Sequence, residues 1–70
     1  MDILALHWDD ENVEHVARHQ VTRAEVGDVC FGRGLVARGR HGRYLIYGQT
    51  SAGRYLLVVL QLQAEGRFRP

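Results

Sequence analysis

From Gly34 onward the chain repeats one pattern: three apolar, strand-like segments divided by two short turns that carry glycine. Leu35-Val36-Ala37-Arg38 leads into Gly39-Arg40-His41-Gly42, and Arg43 to Thr50 forms the return strand. Ser51-Ala52-Gly53 turns again, and Arg54 to Gln63 makes a long third strand. Turns this short join antiparallel neighbours, so the carboxyl half reads as a β-meander. Alternation puts Tyr44 and Ile46 on one face and Leu45 and Tyr47 on the other. Leu56 to Leu60 is apolar at every position, which predicts a strand covered on both sides.

The amino half follows helical spacing. Ile3 to Trp8 is a short apolar run compatible with a strand. Asp9-Asp10-Glu11 suits the first turn of a helix, whose dipole favours acids there. Val13, Val16, Ala17 and Gln20 then recur at i, i+3, i+4, i+7, predicting a helix from Asp10 to His19. Thr22 and Glu25 have the spacing of a capping box, and Val21 and Val26 that of a hydrophobic staple. Val29 and Cys30 continue the apolar face, and Gly32 is placed to end this second helix. Gly27 inside it costs about 1 kcal/mol relative to alanine. The order is β-α-α-β-β-β: a single α+β domain over residues 1–70, with two helices packed on a small antiparallel sheet. Arg67-Phe68-Arg69 opens a further strand that is expected to stay unpaired, an edge that invites a homodimer.

Charge is divided along the chain. Residues 1–32 hold seven acids against two arginines, a net of −5; residues 33–70 hold seven arginines against Glu65, a net of +6. Such segregation in a short chain predicts one surface that faces a polyanion. There is no lysine, and the planar fork of arginine suits bidentate phosphate contact. An arginine-biased source composition would remove lysine equally well. Cys30 is the only cysteine, which excludes an intramolecular disulfide and reads as a small buried hydrophobe. Asp2 and the lack of a basic leader argue against a signal peptide. The longest apolar run, Tyr55 to Leu60, is far short of the ~20 residues a membrane span needs. A cytoplasmic protein without membrane contact is expected.

The arginines are the strongest functional candidates. Arg38 and Arg43 flank the first turn and Arg40 lies in it, Arg54 opens the long strand, and Arg67 and Arg69 sit at the carboxyl end. Hairpin ends that converge would line a groove for RNA phosphates, with steep salt dependence. Tyr44, Tyr47 and Tyr55 supply rings on which single-stranded bases can stack. The plain alternative is that strand tyrosines are core and edge arginines only solubilise. His15 and His19 have the i, i+4 spacing of a metal pair, with Glu11 one turn earlier. No Cys-His cluster completes such a site, so neither metal nor cofactor is expected. His19, at a helix end, reads better as an RNA contact or proton carrier.

Taken in order, Trp8-Asp9-Asp10-Glu11-Asn12, His15, Arg18-His19, Val21-Thr22, Glu25-Val26, Arg43-Tyr44, Gly48-Gln49-Thr50, Gly53-Arg54 and Leu56-Leu57-Val58-Val59 give the chain a family likeness. It resembles the BrnT toxins, small ribonucleases of type II toxin–antitoxin pairs with a RelE-like fold. The resemblance runs over essentially the whole chain. It implies an endoribonuclease, a hydrolase of RNA neutralised by a cognate antitoxin protein. Arginine would stabilise the phosphorane, the role of Arg54 and Arg43, with His19, Tyr47 or the turn residue His41 moving protons. Arg38, Arg40, Arg67 and Arg69 would contact RNA. Three departures stand out. The first helix is one residue shorter than in many relatives. Gln20 stands where the family commonly has glycine, so a left-handed cap retained there carries a steric penalty. The family's later Ala-Arg strand and arginine-rich helix are missing. These departures support an alternative: a shortened, catalytically inert homologue that binds RNA or protein, or a homodimer.

Overall fold

A computed structural model describes residues 3–70; Asp2, one of the acids counted above, lies outside them. The elements are β1 (Ala5–Leu6), α1 (Asp10–Arg18), α2 (Arg23–Cys30), β2 (Leu35–Arg38), β3 (Arg43–Gln49), β4 (Tyr55–Ala64) and β5 (Arg67–Arg69). They form an α+β fold around one five-stranded sheet of order β1-β5-β4-β3-β2. The meander β2-β3-β4-β5 is antiparallel throughout.

Two expectations about the sheet need correction. It is mixed rather than purely antiparallel, because β1 joins β5 in parallel, with Ala5 opposite Arg67 and Leu6 opposite Phe68. The short carboxyl-terminal strand is also not left unpaired. β5 lies between β4 and β1, and its three residues suffice because Phe68 is 2% exposed at the centre of the core. Gly66 makes this crossing possible. Its φ is +74°, and a Cβ there would lie 2.6 Å from the Leu4 side chain. Its carbonyl accepts from the N–H groups of Leu4 and Ala5 at 2.7 and 3.0 Å.

The β2–β3 turn is tight for a local reason. His41 and Gly42 both have positive φ, 59° and 74°, and the Arg43 N–H donates to the Arg40 carbonyl at 3.1 Å. That is a type I′ turn, whose twist matches the strands it joins.

Both helices begin with capping boxes. In α2 the Thr22 hydroxyl accepts from the Glu25 N–H, and Glu25 accepts from the Thr22 N–H, each at 3.1 Å. In α1 the partners are Asp9 and Asn12, 2.9 Å in each direction. Asn12 is buried, and its amide also donates to the His7 carbonyl at 2.9 Å. The apolar stripe expected on α1 is narrower than its spacing implied: Val13 and Val16 are half-buried, while Ala17 and Gln20 are exposed. Helix α2 stops at Cys30 with Phe31 as its cap, φ −99°, so Gly32 does not end it through a left-handed turn. Glycine is needed there for close approach, since a Cβ would lie 2.5 Å from the Asp28 carbonyl.

Gln20 does adopt the left-handed conformation, at φ 59°. A β-carbon costs roughly 1 kcal/mol there. Gln20→Gly should therefore raise unfolding stability by about 0.5 kcal/mol or less in urea titrations, after the extra freedom of the unfolded glycine is subtracted. A destabilised variant would show that the side chain makes up for its strain.

The core lies on one side of the sheet. Val26, Val29 and Cys30 of α2 pack on Ile46, Val58, Leu60 and Phe68, with Val16 reaching in from α1. Burial pushes the Cys30 thiol up to about 11, which keeps it protonated and inert. The opposite face has no cover among the described residues: Leu57 and Val59 are 61% and 50% exposed. The expectation that β4 is covered on both sides is thus corrected, because α2 and Val16 lie on the same side.

Two carboxylates fasten the helices. Asp28 accepts from the Ser51 N–H and hydroxyl at 3.1 and 2.9 Å, tying α2 to the β3–β4 turn. Asp9 accepts from the Asn12 N–H and pairs with Arg69, tying α1 to β5. These bonds hold both carboxyls below their ordinary value of 3.8, through Asn12 first and then Arg69 for Asp9, and through Ser51 for Asp28. A lowered folded value contributes stability that is complete above 3.8 and is lost as pH falls through the folded values. The urea midpoint should fall below about pH 4, and Asp9→Asn with Asp28→Asn should flatten that fall. An unchanged slope in the double variant would show that other groups govern acid unfolding.

Candidate functional site: a trough along the free half of β4

Strand β5 pairs only with the far end of β4, placing Arg69 opposite Gln61, Phe68 opposite Leu62 and Arg67 opposite Ala64. Among the described residues, Tyr55 to Leu60 therefore has β3 on one side and no strand on the other. Helix α1 runs beside this free edge. Its start is held by Arg69, which pairs with Asp9 and reaches Glu11 at 3.6 Å. Its end is held by Arg54, which donates to the Gln20 carbonyl at 2.6 Å and meets Glu25 at 3.4 Å.

Between helix and strand lies a cavity of about 690 Å³. His15, Val16 and His19 form its helical wall, the run Leu56 to Val59 its strand wall, and Arg43, Arg54, Gln61 and Arg69 its rim. Consecutive strand residues line it because it opens on the edge of β4 rather than on either face. No Asp or Glu side chain lines it, and Pro70 closes it beside Arg69. Arg54 and Arg69 spend their charge on Glu25, Asp9 and Glu11, whereas exposed Arg43 has no ion pair among the described residues. A guanidinium without a counter-charge on the same cavity as two imidazoles makes an anion-attracting surface.

The trough gathers Arg43, Arg54, Arg69 and His19 from the expected site. Arg43 and Arg54 do not share one reaction centre. They flank opposite ends of the β3–β4 ladder, which runs from Arg43–Gln61 to Gln49–Tyr55, so ~20 Å of strand separates them. Tyr47 lies outside the trough, on the uncovered face, stacked on Tyr55 with ring centroids 5.8 Å apart. Tyr44 belongs to the core side, edge-on to Phe68 at 5.5 Å, and Arg38 covers its ring at 5.8 Å. Arg40 and His41 stay in the type I′ turn, and Arg67 flanks the buried Phe68 on the solvent side. None of Arg38, Arg40 or Arg67 lines the cavity.

His15 is the residue that sequence reasoning undervalued. Its i, i+4 spacing from His19 is the available signal, set aside as an incomplete metal pair. The two rings stand 5.3 Å apart, edge to face, and both line the trough. Among the described residues no three metal-ligating side chains come close enough to hold an ion. No helix of the described residues is long and apolar enough to cross a membrane. Compared with protein-family models, curated proteins and solved structures, the chain matches none.

Proposed function

We propose that the chain is a toxin-like endoribonuclease of a type II toxin–antitoxin pair, as its resemblance to the BrnT toxins implies, acting on single-stranded RNA. The supporting observation is the trough: lined by arginines and by no Asp or Glu side chain, with two imidazoles on one wall. The RNA backbone lies along it. One of His15 and His19 takes the proton of a 2′-hydroxyl as that oxygen attacks the adjacent phosphorus. The other protonates the departing 5′-oxygen as its bond to phosphorus breaks, leaving a 2′,3′-cyclic phosphate. The Arg43 guanidinium neutralises charge that builds on the phosphorane, commonly the largest catalytic contribution. Arg54 acts at a distance, holding the helical wall through Gln20 and Glu25. Tyr47 and Tyr55 offer a stacked platform for bases beside the trough.

Purified protein incubated with 5′-labelled single-stranded RNA tests this. Fragments ending in cyclic phosphate, formed equally in the presence of a chelator, are expected. RNA left intact at protein excess would overturn the reading. A second reading is favoured by the ion pairs of Arg54 and Arg69, which leave Arg43 as the one trough-lining arginine without an ion pair among the described residues: an inert module that binds RNA or protein. It would bind with steep salt dependence and cut nothing.

A further inference from the structure

The trough does not use up the arginines of the carboxyl half. Among the described residues, ion pairs engage Arg18, Arg54 and Arg69, while the exposed Arg38, Arg40, Arg43 and Arg67 have none. The sheet brings these four to one end. Arg38 closes β2 opposite Tyr44, and Arg43 opens β3 opposite Gln61. Gln61 in turn faces Arg69, and Arg67 lies two residues before it on β5. Arg40 sits in the β2–β3 turn, which is fastened to β4. Gln61 Nε2 donates to the His41 carbonyl and the Leu62 N–H to the Gly42 carbonyl, both at 2.8 Å. Strands β3 and β5 are two spacings apart, ~10 Å, so the guanidinium groups start from a spread and fixed frame. Glu65, exposed in the β4–β5 turn, is the single acid of residues 33–70.

No free tyrosine stands among these arginines. The ring of Tyr44 lies on the core side, between the Arg38 guanidinium and the buried Phe68. Tyr47 and Tyr55 stand farther along the sheet, Tyr55 opposite Gln49 at its other end. Arginines without a stacking surface recognise phosphates and not bases. A single strand gains much of its affinity from stacking, whereas a duplex hides its bases and offers its backbone. The cationic end also continues the trough, because Arg43 belongs to both. At the opposite end acids gather instead: Glu25 meets Arg54, and Asp28 accepts from Ser51.

We propose that the RNA bound by this chain carries a base-paired stem on one side of its single-stranded segment, the stem laying its phosphates on Arg38, Arg40 and Arg67 while the single strand enters the trough past Arg43. This rests on RNA as the occupant of the trough, and it names the class of RNA: a strand leaving a hairpin. The stem needs no base-specific contact, so its sequence is free and its shape is what counts.

Anisotropy titrations with 2′-O-methyl RNA test it, because a methylated 2′-oxygen cannot attack phosphorus and affinity is read apart from cleavage. A short single strand is compared with the same strand carrying a stem at its 5′ end or at its 3′ end. One of the two stems should tighten binding about tenfold or more and the other should not, since arginines gather at one end of the trough and acids at the other. Arg38→Ala combined with Arg40→Ala should abolish that gain and lower the salt slope for the favoured stem by about 2. The affinity of the bare strand should stay as it was. Arg40→Glu alone, which leaves the Arg38 contact with Tyr44 in place, should abolish the gain as well. No gain from either stem, equal gain from both, or a gain that survives both variants would overturn the proposal. Unmodified RNA left whole by the protein would overturn the cleavage reading and leave this one standing.

Discussion

Replacing Phe68 by alanine should strip the domain of a large part of its folding stability. Phe68 is 2% exposed, and it is the only buried side chain that β5 contributes. Its ring meets Tyr44 edge-on at 5.5 Å, and its backbone partners are Leu6 on one side and Leu62 on the other. Truncation removes the transfer energy of a phenyl ring and leaves a cavity, about 3–5 kcal/mol in buried sites. A domain this small has roughly 4–10 kcal/mol in total at ordinary stability per residue. The loss also falls where β1 and β5 join the meander, so relaxation would detach both strands instead of closing the hole. Urea unfolding followed by far-ultraviolet circular dichroism measures it. Phe68→Leu should retain the fold at a cost nearer 1 kcal/mol. Tyr47→Ala, on the uncovered face, should shift stability by no more than about 0.5 kcal/mol. A Phe68→Ala chain with the parent midpoint would mean that β5 is not part of the cooperative unit.

What the sequence disclosed and what it withheld divide by the range of the interaction. The meander was legible because glycine-bearing turns act over four residues. Thr22 and Glu25 were legible because a capping box acts over three. The left-handed Gln20 was expected only through the resemblance to the BrnT toxins, which commonly have glycine there. By contrast, β1 pairs with β5 through residues at opposite ends of the chain, and nothing in Ala5-Leu6 or Arg67-Phe68-Arg69 marks them as partners. Apolar composition also misled at β4. Leu57 and Val59 look like core because sequence records polarity, whereas cover depends on where α2 docks. The site followed the same division. Clustered arginines were visible, but which of them stay unpaired depends on Asp9, Glu11 and Glu25, brought close only by the tertiary fold. The trough lies along the half of β4 that β5 does not pair with, and which half that is depends on a register that no local pattern encodes.

That difference among the arginines gives the second large effect. Arg43→Ala should lower single-turnover RNA cleavage by about 100–1000-fold, the usual loss when one group stabilising transition-state charge is removed. Stability should stay within about 0.5 kcal/mol, because the side chain is exposed and has no ion pair among the described residues. Arg43→Lys keeps the charge but loses the two-pronged contact, so it should recover only part of the rate. Arg54→Ala is the informative contrast. It releases Gln20 and Glu25 and loosens the helical wall that carries His19, so its defect should come with faster amide exchange in α1. The two variants therefore separate a group that touches the reacting phosphate from one that holds the wall in place. Equal cleavage by Arg43→Ala and the parent chain would remove Arg43 from the mechanism. A loss confined to Arg54→Ala, without change in α1 exchange, would give Arg54 the charge-stabilising role in place of Arg43.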